Sequence, residues 1–181
     1  HPSSLEGNEE LDHIKKLKPD IVIVVAYGKI LPATLLNLDK VIFINVHASL
    51  LPRWRGAAPI QRSIMNMDNE TGISIMKIVS KLDAGPVIMQ SKIKITPETN
   101  YEKLSIRMSN LGAKLILNTL ELIENNKADF IDQNESEATY AWKIKKSESK
   151  INWNENAKGI VAKINALYPS PGCWFDFLGS R

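Results

Sequence analysis

Asn45 and His47 are two polar side chains that follow an apolar run typical of a buried strand, Val41–Ile44. Side chains in a strand alternate with a period of two, so both residues are expected on the same side. Polar groups at the carboxyl end of a buried strand are where open α/β sheets hold ligands, when an irregular loop follows. By themselves, the two residues are equally compatible with a satisfied polar pair that simply ends the strand.

Asp83 is a third candidate, within a predicted turn that covers Lys81–Pro86. A histidine exchanges a proton near neutral pH, and a nearby aspartate would fix its tautomer and favour its protonated form. An asparagine amide can donate a hydrogen bond to a carbonyl oxygen as negative charge develops on it. Together these groups suit the attack of an amine on a carbonyl, without a covalent enzyme intermediate. Ser49 is a weaker candidate for a nucleophile, because nothing in the sequence pairs a base with it.

Composition limits the class of protein. The 181 residues are enough for a domain with a real core, and no apolar run approaches the roughly 20 residues of a membrane span. The net charge of +3 is compatible with a nucleic-acid partner without indicating one. Cys173 is the single cysteine, which excludes an intrachain disulfide and suits a reducing compartment, so we predict a cytoplasmic protein, or a mitochondrial one in a eukaryote. Three histidines without tight spacing argue against a metal site.

The first part of the chain predicts an α/β fold. A helix is expected over Glu9–Leu17, and the β-branched run Ile21–Val25 is typical of a strand buried on both faces of a parallel sheet. Pro32 is well placed to open a short helix that continues to Leu36. A second strand over Val41–Asn45 then completes a βαβ unit.

An antiparallel pair and a long helix are predicted next. Gly72–Val79 partly alternates, as a strand with one polar face does, and Val87–Ile95 is a second alternating strand. Thr99 is expected to cap the helix, with Glu102 completing a capping box. The helix has an apolar stripe typical of core packing rather than of a binding groove: Tyr101, Leu104, Met108, Leu111, Leu115 and Leu122.

The composition changes after Asn125. The polar segment Asn134–Lys150 predicts a linker over the surface, so that residues 1–133 and 151–181 form separate domains. Its lysines are interpreted as solvated linker charge, with phosphate contact as the alternative. A short helix is predicted over Ala157–Leu167 and an aromatic-rich strand over Cys173–Phe177. We expect further strands on both sides of these residues, and the isolated 181-residue chain to be poorly soluble and inactive, because a thin sheet leaves an unpaired apolar edge.

Two motifs resemble the signature of the folate-dependent formyltransferases: Asn45–Pro52 and Leu82–Pro86. The family's Asn-x-His motif falls on Asn45 and His47, and its catalytic aspartate falls on Asp83. The resemblance implies that Asn45 polarises the formyl oxygen, that His47 manages the proton of the attacking amine, and that Asp83 supports His47. It also implies a set of folate-contacting residues: Ser49, Leu50, Leu51, Pro52, Gly28, Ile30 and Leu31.

The run Arg53–Arg62 is similar to the branch of this family that acts on initiator tRNA, rather than to the purine-pathway branch. Ala26–Gly28, Thr139–Ala141 and Pro169–Trp174 are similar to the same branch. This resemblance implies 10-formyltetrahydrofolate as the formyl donor and the α-amino group of methionine esterified to initiator tRNA as the acceptor. It further implies a monomer without a metal, in which Arg53 and Arg55 contact the tRNA.

The implied fold is the C-terminal half of a Rossmann-like formyltransferase domain, then a linker, then the start of a small OB-like β-barrel. Two rival functions stay open at this point. An amino-sugar formyltransferase would share the three catalytic residues, but should lack the Arg53–Arg62 run. A non-catalytic folate- or tRNA-binding module could keep the fold, but would have no need of Asn45, His47 and Asp83 together.

Overall fold

The computed structural model describes Leu5 and residues 7–178, and their strands form one mixed sheet in chain order. Strands β1 (Ile21–Val24) and β2 (Ile42–His47) are parallel. Strands β3 (Glu70–Lys77) and β4 (Val87–Lys94) continue the sheet in antiparallel pairing. The predicted α/β class and the predicted antiparallel pair are therefore confirmed.

The helices of the described residues are α1 (Asn8–Leu17), α2 (Ala33–Leu36), α3 (Pro59–Met65), α4 (Tyr101–Glu124) and α5 (Ala157–Leu167). Short 3-10 turns cover Glu135–Glu137 and Lys146–Ser149. The predicted bounds of α5 are confirmed, and α1 begins one position before its predicted start. α3 begins at a proline, which suits the first helical position because the missing N–H would have no helical partner there.

Among the described residues the first strand is not covered on both faces. Ile23 is 43% exposed and Val25, which lies just outside β1, is 61% exposed. β1 is the edge strand of the described sheet, so β2 is its one neighbour there. Its covered face packs on Phe43, Leu35 and α1, which form a small second core.

β3 does not have the polar face that its alternation predicted, because Thr71–Met76 are all buried. The strand lies between β2 and β4. On one face Ile73 and Ile75 pack into the main core with α4. On the other face Ser74 is covered by the loop that follows β2 and hydrogen-bonds to it.

The N-cap of α4 is Asn100 rather than the predicted Thr99. The side-chain oxygen of Asn100 accepts a hydrogen bond of 2.9 Å from the backbone N–H of Lys103. The Thr99 hydroxyl instead accepts from the backbone N–H of Thr96, so the predicted capping box does not form. The predicted apolar stripe is confirmed as packing, since Leu104, Met108 and Leu115 are buried in the main core.

The predicted aromatic strand Cys173–Phe177 is wrong in the described structure. Trp174 makes one isolated parallel bridge with Lys150, through hydrogen bonds to Ser149 and Ile151. Phe175 is 42% exposed, and no described strand lies beside it. Bridges at separate positions, such as those of Trp174 and Phe177, do not form a continuous ladder, because a strand needs consecutive paired residues.

Candidate active site

His47 is the last residue of β2 and lies opposite Ser74 of β3. Its ring is buried, and its Nε2 atom lies 2.9 Å from the backbone carbonyl oxygen of Trp54. A carbonyl can only accept, so Nε2 carries the hydrogen and donates it. The Nδ1 atom is therefore the basic nitrogen of the neutral ring, and it faces Asp83.

Asp83 lies in the turn between β3 and β4, and the distance from its Oδ2 atom to Nδ1 of His47 is 3.6 Å. The same Oδ2 atom accepts a 2.8 Å hydrogen bond from the backbone N–H of Gly56. Asp83 has a positive φ of 44°, a conformation that aspartate tolerates better than most residues. The predicted proximity of His47 and Asp83 is confirmed.

The environment of His47 sets its charge. Burial lowers the pKa of His47 below its ordinary value, while the Asp83 carboxylate and the bond to Trp54 act in the opposite direction. The neutral ring is therefore favoured at neutral pH, with Nδ1 free to take a proton. Once protonated, the ring faces a carboxylate that stabilises the positive charge.

Asn45 lies two positions before His47 on β2, opposite Met76, and its side chain is on the same side of the strand as His47. It is half-buried, and within the described part of the chain its amide has no hydrogen-bonding partner. The amide is thus available to an oxygen from outside the protein. This arrangement supplies a donor and a base on one side of the sheet.

The loop Ser49–Pro52 is held to β3 by one hydroxyl. The Oγ atom of Ser74 donates to the Ser49 carbonyl at 2.6 Å and accepts from the Leu51 N–H at 3.0 Å. Gln90 adds hydrogen bonds to the same hydroxyl and to the Leu51 carbonyl. The Ser49 hydroxyl is buried and donates to the Arg53 carbonyl at 2.5 Å, so it is not arranged as a nucleophile. Leu50 and Pro52 are half-buried in this loop, and Leu51 is buried.

The other predicted folate contacts follow β1. Gly28 is exposed with a φ of 71°, which favours glycine, and open space surrounds it where a Cβ atom would lie. Ile30 is 77% exposed. Leu31 is buried against Leu35 and Phe43. Folate contact stays a prediction for all three.

The two arginines predicted to contact tRNA have opposite environments. Arg53 is half-exposed and forms a bidentate pair with Asp68, with distances of 2.6 and 3.2 Å. Burial would raise the pKa of the Asp68 carboxyl, but hydrogen bonds from Arg53, Asn66 and Trp54 outweigh this and lower it. Arg55 has no exposed surface, and its guanidinium binds Gln133 and Glu135. A predicted contact with tRNA does not fit a side chain that is enclosed in this way.

Sequence reasoning missed the residues that hold this site together. Trp54 and Gly56 contact His47 and Asp83 through backbone atoms, which carry no signature in side-chain type. Gln133 donates to the carbonyl oxygens of Asp83 and Gly85, yet it lies just before the segment predicted as a linker. A polar residue before a linker has no local pattern that distinguishes it from a solvated one.

The described residues contain no cluster of three His, Cys, Asp or Glu side chains arranged to hold a metal ion. None of their helices combines the length and the apolar character needed to span a lipid bilayer.

Comparison with protein families matches residues 1–120 to the formyl transferase domain and residues 143–181 to the formyl transferase C-terminal domain. The chain belongs to the formyl transferase family. The family match covers β1, β2, β3 and β4 together with His47 and Asp83.

A methionyl-tRNA formyltransferase of Pelagibacter ubique (strain HTCC1062) is 55% identical over 181 residues, which cover 99% of this chain and 58% of that protein. The chain therefore spans less than three fifths of this formyl transferase. Among solved structures, a 4-N formyltransferase from Francisella tularensis has a TM-score of 0.83 at 22% identity, over 99% of this chain and 74% of that one. HypX from Aquifex aeolicus, solved in complex with tetrahydrofolic acid, has a TM-score of 0.80 at 18% identity, over 93% of this chain and 29% of that one. At these identities the two structures show that the fold is shared.

Proposed function

We propose that this chain carries the catalytic centre of an enzyme that formylates methionyl-initiator tRNA for translation initiation, with 10-formyltetrahydrofolate as the donor. The observation that carries the proposal is the contact of the buried His47 with Asp83, together with Asn45, which lies two positions before His47 on β2 and whose amide has no partner among the described residues. The 55% identity to a methionyl-tRNA formyltransferase supports this acceptor over others.

In the proposed reaction the α-amino nitrogen of methionine attacks the formyl carbon of the folate. The Asn45 amide donates a hydrogen bond to the formyl oxygen as it becomes an oxyanion. Nδ1 of His47 takes one proton from the attacking nitrogen, and Asp83 stabilises the imidazolium that results. The C–N bond to the folate nitrogen then breaks and that nitrogen takes the proton from His47. The products are a formylated amine and tetrahydrofolate, so no metal or redox partner is required.

The substrates are proposed to approach the loops that surround this centre. The folate would contact Ser49–Pro52, Gly28, Ile30 and Leu31, and HypX in complex with tetrahydrofolic acid supports a folate co-substrate on this fold. The tRNA would contact Arg53, which is 45% exposed. Residues 1–133 would form the catalytic domain of Rossmann-like type, 134–150 a linker and 151–181 part of a small OB-like domain that binds tRNA. The enzyme is proposed to act as a cytoplasmic monomer.

The test is a formyl-transfer assay on the intact protein with 10-formyltetrahydrofolate and two acceptors, methionyl-initiator tRNA and a nucleotide-linked amino sugar. We expect formyl-methionyl-tRNA as the product and no reaction with the sugar. Transfer to the sugar alone would replace the proposed acceptor. Folate binding without transfer to either acceptor would show a binding module instead of an enzyme.

A further inference from the structure

The segment 131–141, here called the strap, crosses both loops of the catalytic centre. At one end Ile131 pairs with Val87, at the start of β4, through two backbone hydrogen bonds of 2.8 and 2.9 Å. At the other end Thr139 and Ala141 exchange backbone hydrogen bonds with Arg55, at 2.8 and 2.7 Å. The strap therefore bridges the region of the Asp83 turn and the loop after β2, two parts of the chain that are distant in sequence.

Gln133 is the strap residue that contacts the Asp83 turn directly. Its amide nitrogen donates to the carbonyl oxygens of Asp83 and Gly85, at 2.8 and 2.7 Å. Its amide oxygen accepts from the Nε and Nη2 atoms of Arg55, at 3.0 and 2.8 Å. Both donors and both lone pairs of the amide are thus used, so the side chain has one orientation that satisfies every partner.

Arg55 is the second part of this arrangement. A guanidinium without exposed surface needs partners for its donors, since a buried unpaired charge is costly. Glu135, also in the strap, accepts hydrogen bonds from the Nη1 and Nη2 atoms of Arg55. Gln133 accepts from its Nε and Nη2 atoms. The rigid planar fork of arginine therefore determines where the Gln133 amide lies.

These contacts converge on the relative position of His47 and Asp83. The loop that contains Arg55 also supplies the Trp54 carbonyl, which binds His47, and the Gly56 N–H, which binds the Asp83 carboxylate. Thr139 of the strap accepts a 2.9 Å hydrogen bond from the Trp54 N–H. Each member of the His47–Asp83 pair is thus tied to the strap through no more than one intervening residue.

We infer that Gln133, oriented by Arg55, is a positioning residue that holds Asp83 in place relative to His47. The inference deepens the proposed function and rests on it for its kinetic consequence. A strap that served only to satisfy a buried arginine would need the amide oxygen of Gln133 alone. Holding the turn needs the amide nitrogen as well, and this difference can be tested.

Two substitutions separate these roles. Gln133→Met keeps the length of the side chain and removes all four hydrogen bonds. Gln133→Glu keeps the acceptor for Arg55, but places a carboxylate oxygen where two carbonyl oxygens require a donor. If Gln133 positions Asp83, both variants should lose about a hundredfold in kcat, the effect expected of a misplacement of about 1 Å, with little change in KM for the folate. Glu137→Gln, an exposed strap position, is the matched control and should leave kcat unchanged.

A second readout does not depend on activity. The ring resonance of His47 is identified by its loss in a His47→Gln protein and followed by NMR against pH in the intact protein. Because the Asp83 carboxylate raises the pKa of His47, a displaced Asp83 should lower the pH at which the ring titrates in Gln133→Met. Asp83→Asn removes the carboxylate charge altogether and should therefore give the largest decrease in the titration pH of His47. In Glu137→Gln the His47 ring should titrate as it does in the unsubstituted protein.

The outcomes are distinct. Normal kcat in Gln133→Glu, with loss in Gln133→Met, would assign Gln133 only to Arg55 and overturn the inference. An unchanged His47 titration in Gln133→Met would overturn it as well.

If Gln133→Met does not fold, the same NMR titration is made on Arg55→Lys, which keeps the charge and loses the planar fork. An unchanged titration there would equally overturn the inference. If the intact, unsubstituted protein transfers no formyl group, the proposed function is refuted, while the NMR result would still decide the positioning role.

Discussion

The Nδ1 atom of His47 lies 3.6 Å from the Oδ2 atom of Asp83, while the opposite ring nitrogen is bound to the Trp54 carbonyl. This distance is longer than a direct hydrogen bond, and the carboxylate is held at its place by the N–H of Gly56. In the neutral imidazole the Nδ1 lone pair therefore faces the carboxylate without a hydrogen bond to it. Protonation of Nδ1 converts this contact into an ion pair, in which the Asp83 carboxylate stabilises the positive charge of the ring.

Replacement of His47 tests its role as the base. His47→Ala should reduce formyl transfer by about a hundredfold to ten-thousandfold, the usual contribution of a general acid–base group. Folate affinity should stay largely intact, because the predicted folate loops do not depend on the ring. Single-turnover formylation and a fluorescence titration with folate measure the two effects. His13→Ala, on the exposed face of α1, is the control, and near-normal turnover of His47→Ala would show that another group is the base.

Replacement of Asp83 tests the charge rather than the contact. Asp83→Asn keeps an oxygen that can accept from the Gly56 N–H, but it removes the carboxylate that favours imidazolium. We expect a loss in kcat comparable to that of His47→Ala. The pKa of His47 should fall further, so the acidic limb of the pH profile of kcat/KM should move to lower pH. Asp129→Asn, at an exposed position, is the control, and an acidic limb that moved to higher pH would contradict this account.

Local sequence patterns predicted most of the elements, although they also predicted an aromatic strand over Cys173–Phe177 that the described residues do not form. The two-residue spacing of Asn45 and His47 follows from strand geometry, and the Asp83 turn was evident from its glycine and proline. The partners of these residues could not be predicted, because Gln133 and Arg55 meet through tertiary contacts with no periodicity. The exposure of β1 among the described residues could not be predicted for a related reason: a β-branched run indicates a strand, but not how many neighbours cover it.

The buried His47 should make stability depend on pH. Burial lowers its pKa below the ordinary value of 6.5, so the folded protein binds fewer protons at this site than the unfolded chain does. The contribution of His47 to the free energy of unfolding is fully present above pH 6.5. This contribution is lost as the pH falls towards the pKa of His47 in the folded protein, by at most about 1.4 kcal/mol per pH unit for one proton. Urea denaturation of the unsubstituted and His47→Gln proteins between neutral and mildly acid pH measures this. If the free energy of unfolding depends on pH in the same way in both proteins, His47 is excluded as the source of the pH dependence.

Glu135 should make the strap sensitive to stronger acid. Hydrogen bonds from Arg55 and Lys81 lower the pKa of Glu135 from 4.5 to about 2. A lowered carboxyl pKa contributes stability above pH 4.5, and this contribution is lost as the pH falls from 4.5 towards 2. The acid-unfolding curve of Glu135→Gln should therefore be flatter than that of the unsubstituted protein in this range. Glu121→Gln, at an exposed position of α4, is the control, and equal steepness in Glu135→Gln and the unsubstituted protein would contradict the assignment.

Ser74 is expected to couple stability to folate binding. Its hydroxyl is buried, donates to the Ser49 carbonyl and accepts from the Leu51 N–H and the Gln90 amide, so Ser74→Ala leaves these groups without that partner. A buried donor without a partner costs about 1–3 kcal/mol, which should lower the free energy of unfolding by that amount. The loop Ser49–Pro52 would also lose its link to β3, so a folate that contacts it should bind more weakly, with KM for the folate raised more than kcat is lowered.

Ser91→Ala is the matched control for Ser74→Ala, because Ser91 lies on β4 opposite Ile73 and forms no side-chain hydrogen bond among the described residues. Urea denaturation and steady-state kinetics with varied folate separate the two effects. A loss of stability in Ser74→Ala with an unchanged KM for the folate would show that the Ser49–Pro52 loop does not contact the folate. In that case the hydroxyl would serve the packing of β3 alone, and the folate would have to be held by the residues that follow β1.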